Sequence, residues 1–505
     1  MTERDFELLL QEDISSLPPS DMLADAVNPW KTSMNRILWG LGLVTITLNF
    51  LNLNVIFPVI GMAQMLLGFR ALRSESRWFR AGYLLAIVRT IWMLIHLFFD
   101  ATIYSGAYRA TNFAVTGTYL MLGLGFFQML CLRCAIRAVQ VKAGLEPHVG
   151  SANALLVWYV VIAALAFLNF TGFSVWILLI AYFFILRGLF KLSKELDDAG
   201  YAITPAPVKV TDRTLSIGYA AVIAILLAVG YLFFNQYPMD WTVREESAAS
   251  EIRQELLDLG FPEDVLNDLT EEEILLCQDA GKIHVDTEDY PVNDGHQASK
   301  MGSTGNLTIY TAYDTYELRI TAIAVEPEDQ SEDWVIFHHF QWIMDPGWRS
   351  TDAMQFWPTY RENEGWTNAG HLSGRLLYDD GGTTYTAPYY SLGEVTRTSQ
   401  DWFLGEVTGT DLVAAFSLPR GGENCRGYVC YTTRIVTPGY IINSWCNYYY
   451  QETPLWFPVR TAADVINPGV SYHPDAFQMV NTAIQMSYDV DKALEEGIYE
   501  YEHFD

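Results

Sequence analysis

The chain has 505 residues, half of them apolar and 18% charged, with a formal net charge of −28. Residues 1–234 carry 17 basic and 14 acidic groups, whereas residues 235–505 carry 14 basic and 45 acidic ones. An acidic second half of this kind repels phosphates instead of releasing their counterions, which excludes nucleic acid as its partner; its charge serves solubility first.

Residues 1–35 read as an acidic cytoplasmic tail. They contain Leu17-Pro18-Pro19 and no basic stretch leading into an apolar one, so they do not read as a signal peptide. The first hydrophobic segment is therefore expected to act as an uncleaved anchor. Asp5 to Ile14 has the pattern of a short acidic amphipathic helix, ended by Pro18 and Pro19. With Leu17, Met22, Leu23 and Val27, residues 5–27 offer apolar anchors either to a cytoplasmic protein partner or to the chain's own inner loops.

Residues 36–235 read as an α-helical polytopic membrane domain of seven spans, at 37–52, 55–70, 82–100, 113–132, 154–170, 173–190 and 215–235. The lipid bilayer is the partner this implies. Residues 37–70 form one apolar run too long for a single untilted helix. Asn49, Asn52 and Asn54, followed by Pro58, predict a tight hairpin of two short helices. Residues 154–190 repeat the design around Asn169-Phe170-Thr171-Gly172. Leu48-Asn49-Phe50 and Leu168-Asn169-Phe170 echo each other at these turns, by duplication or by the low complexity of apolar sequence.

Charge orients the domain. The inner segments hold fifteen Lys and Arg between Arg4 and Arg213, and the outer loops between spans hold only Arg109. Basic residues concentrate on the cytoplasmic side of membrane proteins. The N-terminus is thus expected inside, and an odd number of spans puts the acidic half outside.

Several stretches carry a resemblance: Ile14-Ser15-Ser16-Leu17-Pro18-Pro19, Asn28-Pro29-Trp30-Lys31, the run Thr45 to Asn54, and Leu67-Gly68-Phe69-Arg70-Ala71-Leu72-Arg73 with Arg77-Trp78-Phe79-Arg80. Over residues 14–90 the chain resembles a family of uncharacterised multi-pass membrane proteins of Gram-positive anaerobic bacteria. That family has no assigned activity, so it lends no functional residues. The resemblance implies a bacterial plasma membrane, with the C-terminal domain facing the cell wall.

The third span carries a polar stripe. Arg89 lies near its centre, where insertion costs roughly 2.5–3.5 kcal/mol. His96 is seven residues on, and Asp100 follows at i+4, where the two can pair. One reading is an anion or substrate pocket, or a proton path ending at Asp100. The other is a structural lock, with Arg89 donating to carbonyls freed at the hairpins and to side chains such as Asn49 or Asn169. No Asp or Glu lies in the interior of a span, which counts against an ion-coupled transporter.

Outside the membrane, residues 241–282 are predicted to form a small helical stalk unit. Arg244 to Leu259 is helical in pattern and stops at Gly260, and Thr270 to Glu273 is a capping box opening a helix to Ala280. Asp286 to Gly295 reads as an acidic linker whose spacing fails the EF-hand pattern. Residues 300–460 are predicted to be an antiparallel β-sandwich-like domain, with strands at 307–310, 316–325, 334–342, 427–436 and 440–450. Asp379-Asp380-Gly381-Gly382, Gly421-Gly422 and Pro438-Gly439 mark turns. Residues 461–505 are expected to form a C-terminal helix, from Pro474 to about Glu496, and a tail.

Chemistry is faint. His338 and His339 alternate across a strand and point to opposite faces, so they do not share a metal easily. The sequence suggests no catalytic residues, no metal site and no cofactor, and the reading leans away from an enzyme. The aromatic density suits either stacking on sugars or a strand-rich core. Cys131 and Cys134 read as packing residues. Cys425 and Cys430 bracket four residues, which suits either a hairpin-closing disulfide or free thiols. The functional expectation is envelope sensing or scaffolding, with an extracytoplasmic domain that binds a ligand or partner and a cytoplasmic tail. The alternative is a transporter or channel component with an extracytoplasmic cap.

Overall fold

Asn52 interrupts the first apolar run by taking a left-handed backbone conformation, φ 56°, which a short polar side chain tolerates better than a branched one. On either side lie α1 (Trp30–Thr45) and α2 (Leu53–Leu72). They cross closely because glycines face each other. A Cβ on Gly40 would stand 2.6 Å from the Gly61 carbonyl oxygen, and one on Gly61 would stand 2.8 Å from that of Gly40. Small residues permit such backbone approach between apolar helices.

The computed structural model describes residues 30–46, 52–168, 174–204, 209–245, 251–292, 297–301, 307–311, 316–328, 333–345, 348–358, 366–401, 405–435, 442–451, 456–466 and 477–486. The tail segment 5–27, Asn49, the second hairpin turn at Asn169–Gly172 and the Pro438-Gly439 turn lie outside these residues. The chain divides into two units, Met1–Leu232 and Phe233–Asp505.

The first unit continues with α3 (Arg77–Asp100), α4 (Ser105–Ala110), α5 (Asn112–Lys142), α6 (Gly150–Phe167), α7 (Ser174–Asp198) and α8 (Asp212–Phe233). Ser76 caps α3 by accepting from the Phe79 N–H, and Thr111 caps α5 through Ala114. The described residues of each of the seven predicted apolar segments fall largely on one of these helices. Among the described residues five are long and apolar enough to cross a membrane: Leu53–Leu72, Arg77–Asp100, Asn112–Lys142, Trp176–Asp198 and Asp212–Phe233. Gly150–Leu165 is a shorter apolar helix, and α1 has 16 residues. Ile91, Ile177, Phe184, Ile217 and Ile225 stay exposed on their outer faces, as side chains in contact with lipid tails do.

Successive long helices run antiparallel, because their alternate ends are joined at one end of the unit. Asp212 at the start of α8 accepts from Arg36 of α1 at 2.7 Å and from Arg70 of α2 at 3.3 Å. Glu75, between α2 and α3, is buried and meets Lys142 at the end of α5 at 3.5 Å, the Tyr201 hydroxyl and the Thr204 N–H. His148, before α6, bonds Glu195 of α7 at 2.7 Å.

The second unit is rich in antiparallel sheet. One sheet orders seven strands as β1 (Thr242–Val243), β9 (Thr383–Pro388), β8 (Trp366–Asp380), β12 (Glu423–Ile435), β6 (Trp334–Met344), β5 (Tyr316–Pro327) and β2 (Ala280–Val292). The other orders five as β10 (Ser391–Asp401), β11 (Gly405–Phe416), β7 (Asp352–Pro358), β13 (Ile442–Gln451) and β14 (Phe477–Met486). A separate pair joins β3 (Gln297–Met301) to β4 (Leu307–Thr311). Ile320, Phe340 and Tyr431 of the larger sheet share one core with Phe356, Phe416 and Tyr448 of the smaller, so the sheets pack face to face. At the β8–β9 turn, Gly381 and Gly382 take φ 55° and 82°, the pair of positive values a two-residue hairpin requires.

Three expectations are corrected. Residues 241–282 are not a stalk: α9 (Glu251–Asp258), α10 (Glu263–Asp268) and α11 (Glu271–Leu275) cover the outer face of the seven-stranded sheet. Leu256, Phe261, Val265, Leu266 and Ile274 pack there against Ile323, Phe337 and Tyr428. The α11 capping box is formed by Thr270 and Glu273, but the helix stops at Leu275. The acidic stretch from Asp286 to Val292 belongs to strand β2, paired along its length with β5, with Asp286, Glu288 and Asp289 all exposed. Residues 477–486 form strand β14 beside β13, not a helix. There Phe477, Val480 and Ile484 also satisfy a helical spacing, and the unpaired edge of β13 decides between the two. The rest of that predicted helix lies outside the described residues.

Candidate functional site

Arg89 projects from α3 toward α5, where its guanidinium donates to Gln128 Oε1. Gln128 is fully buried, and its Nε2 donates in turn to the Gly82 carbonyl at 3.2 Å. One amide thus accepts from the cation and returns a donor to the backbone of the helix that carries it. Gly125, one turn earlier on α5, lies beside the guanidinium, and a Cβ there would make ordinary van der Waals contact with it at 3.6 Å. Neither Asn49 nor Asn169, the partners considered from sequence, lies within the described residues.

The rest of the stripe is arranged differently. The His96 ring lies between those of Trp92 and Tyr108, with centroids 5.0 and 5.3 Å away. Asp100 accepts from Arg109 Nη2 at 2.7 Å and from Ser105 Oγ at 3.2 Å. Arg109 of α4, always charged, takes the carboxylate in preference to the imidazole. Arg89, His96 and Asp100 therefore form no single hydrogen-bonded chain.

In the sheet-rich unit the two adjacent histidines point to opposite faces. His338 Nε2 meets Ser444 Oγ at 2.7 Å inside the inter-sheet core, and Tyr431 shares that hydroxyl at 2.6 Å. Burial pushes the His338 imidazole down to about 3, so it stays neutral. His339 Nε2 meets Asp268 Oδ2 at 3.0 Å under the helical cover. Asp268 also accepts from Arg426 Nε at 3.0 and 2.9 Å, and Arg244 Nη1 lies 3.4 Å away. Burial works to raise the Asp268 carboxyl, but the His339 hydrogen bond and the His339 and Arg426 charges outweigh it and hold it below the usual range.

A second polar cluster surrounds Glu273, which accepts from Ser373 Oγ at 2.7 Å and from the Tyr428 hydroxyl. His371 Nε2 lies 3.1 Å from the same serine. This resembles a nucleophile beside a base only in composition. The serine proton is committed to the carboxylate and is not offered to histidine, so the cluster fastens α11 to the sheet.

The proposed Cys425–Cys430 bridge is excluded. All six cysteines are free thiols. Both residues lie on β12, five positions apart, so strand alternation turns them to opposite faces. Cys425 enters the inter-sheet core and Cys430 the core beneath the helices. Of the aromatic residues, Trp342, Tyr428, Tyr431 and Tyr448 are buried in the cores.

No protein-family model and no curated protein matches this chain.

Gln128, Asp268 and Ser444 were not singled out by the sequence, and Glu273 was read only as a capping-box residue. A glutamine inside an apolar helical run is the one signal that could have found any of the first three. The others are ordinary polar residues whose burial depends on what packs over them.

Proposed function

We propose that the chain is a bacterial plasma-membrane protein that senses or scaffolds at the cell envelope. In this reading seven helices cross the bilayer, the N-terminus is cytoplasmic, and the sheet-rich half is an extracytoplasmic domain that binds a ligand or partner. The observation that carries it is the distribution of charge. Fifteen basic residues fall on inner segments against one outside, and ion pairs of Asp212 and Glu75 gather the basic helix ends at one end of the helical unit. The positive-inside rule makes that end cytoplasmic, and antiparallel succession of seven helices leaves the chain on the opposite side after Phe233.

The bond from Arg89 to Gln128 supports a structural role for the intramembrane cation, which favours sensing or scaffolding over transport. A transporter or channel component is the second reading, supported by the presence of a guanidinium within an apolar helix. A Gly381→Cys variant tests the topology: its thiol labels with an impermeant reagent on intact cells, and labelling only after lysis overturns the seven-crossing arrangement. Residues 1–35 used as bait test the output. Recovery of a specific cytoplasmic protein is expected, and an empty capture counts against sensing.

A further inference from the structure

We propose that the sheet-rich unit meets the bilayer surface where the chain leaves α8, and that Arg420 there binds the phosphodiester of a phospholipid headgroup. The inference rests on α8 crossing the bilayer, as proposed above, and holds on whichever side the sheet-rich unit lies.

Length sets the depth. Helix α8 has 22 residues, about 33 Å at 1.5 Å per residue, which fills a hydrocarbon core of about 30 Å. The headgroup layer on either side is roughly 5–8 Å deep. Asn235 follows Phe233, the last residue of α8, by two positions, so it stands at most about 7 Å beyond the helix end, within that layer. The chain is already built into the sheet-rich unit there. Asn235 is 3% exposed. Ser350 Oγ donates to its carbonyl at 2.7 Å, and Arg420 Nη2 donates to its side-chain oxygen at 2.6 Å. The Gln236 amide donates to the Leu418 carbonyl and the Tyr237 N–H to Ser417 Oγ, both at 3.0 Å. Side chains bonded to Asn235 share its depth.

The groups at that depth suit a headgroup. Arg420 is exposed. Asn235 holds one of its nitrogens, and its guanidinium lies over the Trp348 ring, 5.3 Å from the centroid. A fork oriented in this way suits the paired oxygens of a phosphodiester. Tyr390, 48% exposed, stacks on Tyr237 with centroids 4.3 Å apart. Tyrosine gathers at membrane–water interfaces, where one end of the ring is apolar and the other wet. The 45 acidic groups of residues 235–505, against 14 basic ones, oppose approach to an anionic surface, so the cation at this point carries the contact.

Fluorescence quenching of the full chain in phosphatidylcholine nanodiscs tests it. The fluorophore is attached at Gly421→Cys, where a side chain meets open space, or at Arg434→Cys, some eleven strand residues and about 35 Å along β12. The chain with its own cysteines alone sets the background. The quenchers are a phosphatidylcholine with a nitroxide on its headgroup and a phosphate-free diacylglycerol carrying the same nitroxide. Quenching by the phospholipid is expected to be at least threefold stronger at position 421 than at 434, and at 421 at least twofold stronger than quenching by the diacylglycerol. Arg420→Gln erases the difference between the two lipids and leaves quenching by the diacylglycerol unchanged. Equal quenching at 421 and 434 overturns the bilayer contact. Equal quenching by the two lipids, or a difference that survives Arg420→Gln, overturns headgroup binding by Arg420. A label at Ala224→Cys, midway along α8 and exposed, quenched by a nitroxide on the acyl chain, judges the crossing of α8 separately.

Discussion

Arg426 donates through Nε to both carboxylate oxygens of Asp268, at 3.0 and 2.9 Å, and so ties strand β12 to the last residue of α10. Asp268 is 4% exposed, and removing it strands the buried His339 and leaves Arg426 with only Asp379 and the Asn424 carbonyl. Breaking one partner out of a buried charged pair costs about 3–5 kcal/mol. Asp268→Ala is expected to destabilise the sheet-rich unit by that order and to expose α9–α11 first. Denaturant titration with hydrogen exchange measures both, and an unchanged midpoint contradicts the role given to Asp268.

In the helical unit, Arg89 and Gln128 are expected to behave as one element. Arg89→Leu leaves a buried amide without its donor, and Gln128→Leu leaves a cation without its acceptor. Each single change lowers the yield of folded protein. The double change removes both polar groups together and restores much of it. Size-exclusion profiles in detergent report the yield. Normal folding of Arg89→Leu with lost biological activity would instead identify a binding site.

Buried His338 and partly exposed Asp352, at the rim of the inter-sheet core, have opposing pH dependence. His338 sits near 3 in the fold through burial, against 6.5 for a free histidine. On acidification the unfolded chain takes a proton that the folded one refuses, so this stability is full above 6.5 and falls between 6.5 and 3. Asp352 is raised by desolvation to about 6 from 3.8, although the Arg349 charge and the Tyr448 hydrogen bond oppose the rise. Its contribution is full below 3.8 and is lost as pH rises through 6.

Each slope is at most about 1.4 kcal/mol per pH unit, and between pH 4 and 6 they oppose each other. Asp352→Asn is therefore expected to make stability fall more steeply as pH drops from 6 to 4. His338→Gln reverses the trend and makes the protein gain stability over the same interval. Thermal unfolding of the full chain at several pH values decides, and parallel profiles for both variants refute the pairing.

Cys425 and Cys430 give a direct chemical check. Burial pushes the Cys425 thiol up to about 12, and Cys430 faces the other side of the sheet. Both are unreactive toward alkylating reagents in the native state and are expected to be alkylated as thiols after denaturation without reductant. Peptide mapping by mass spectrometry that finds them cross-linked would refute this.

How much was legible depended on the range of the interaction. Periodicity and chain length located the helices of the first unit and strands such as 316–325 and 334–342, since those signals are local. The Thr270–Glu273 capping box is equally local and formed as expected. Residues 241–282 were legible as short helices but not as a cover, because a helix's apolar face does not name the surface it meets. Residues 477–486 misled because the spacings of three and four between Phe477, Val480 and Ile484 match a helix, whereas in β14 Phe477 faces away from Val480 and Ile484, and only pairing with β13 decides for the strand.

By itself the sequence determined the apolar helices, the split between a near-neutral first half and an acidic second half, and the alternation that sends His338 and His339 apart. These follow from composition and from backbone periods of 3.6 and 2.0 residues. The tertiary structure alone decided that Arg89 finds Gln128, that Asp100 prefers Arg109 to His96, and that Asp268 joins Arg426. Hydrogen-bond partners are chosen by which side chains the packing brings within about 3 Å, and separations of 39 and 158 residues along the chain carry no local trace of that choice.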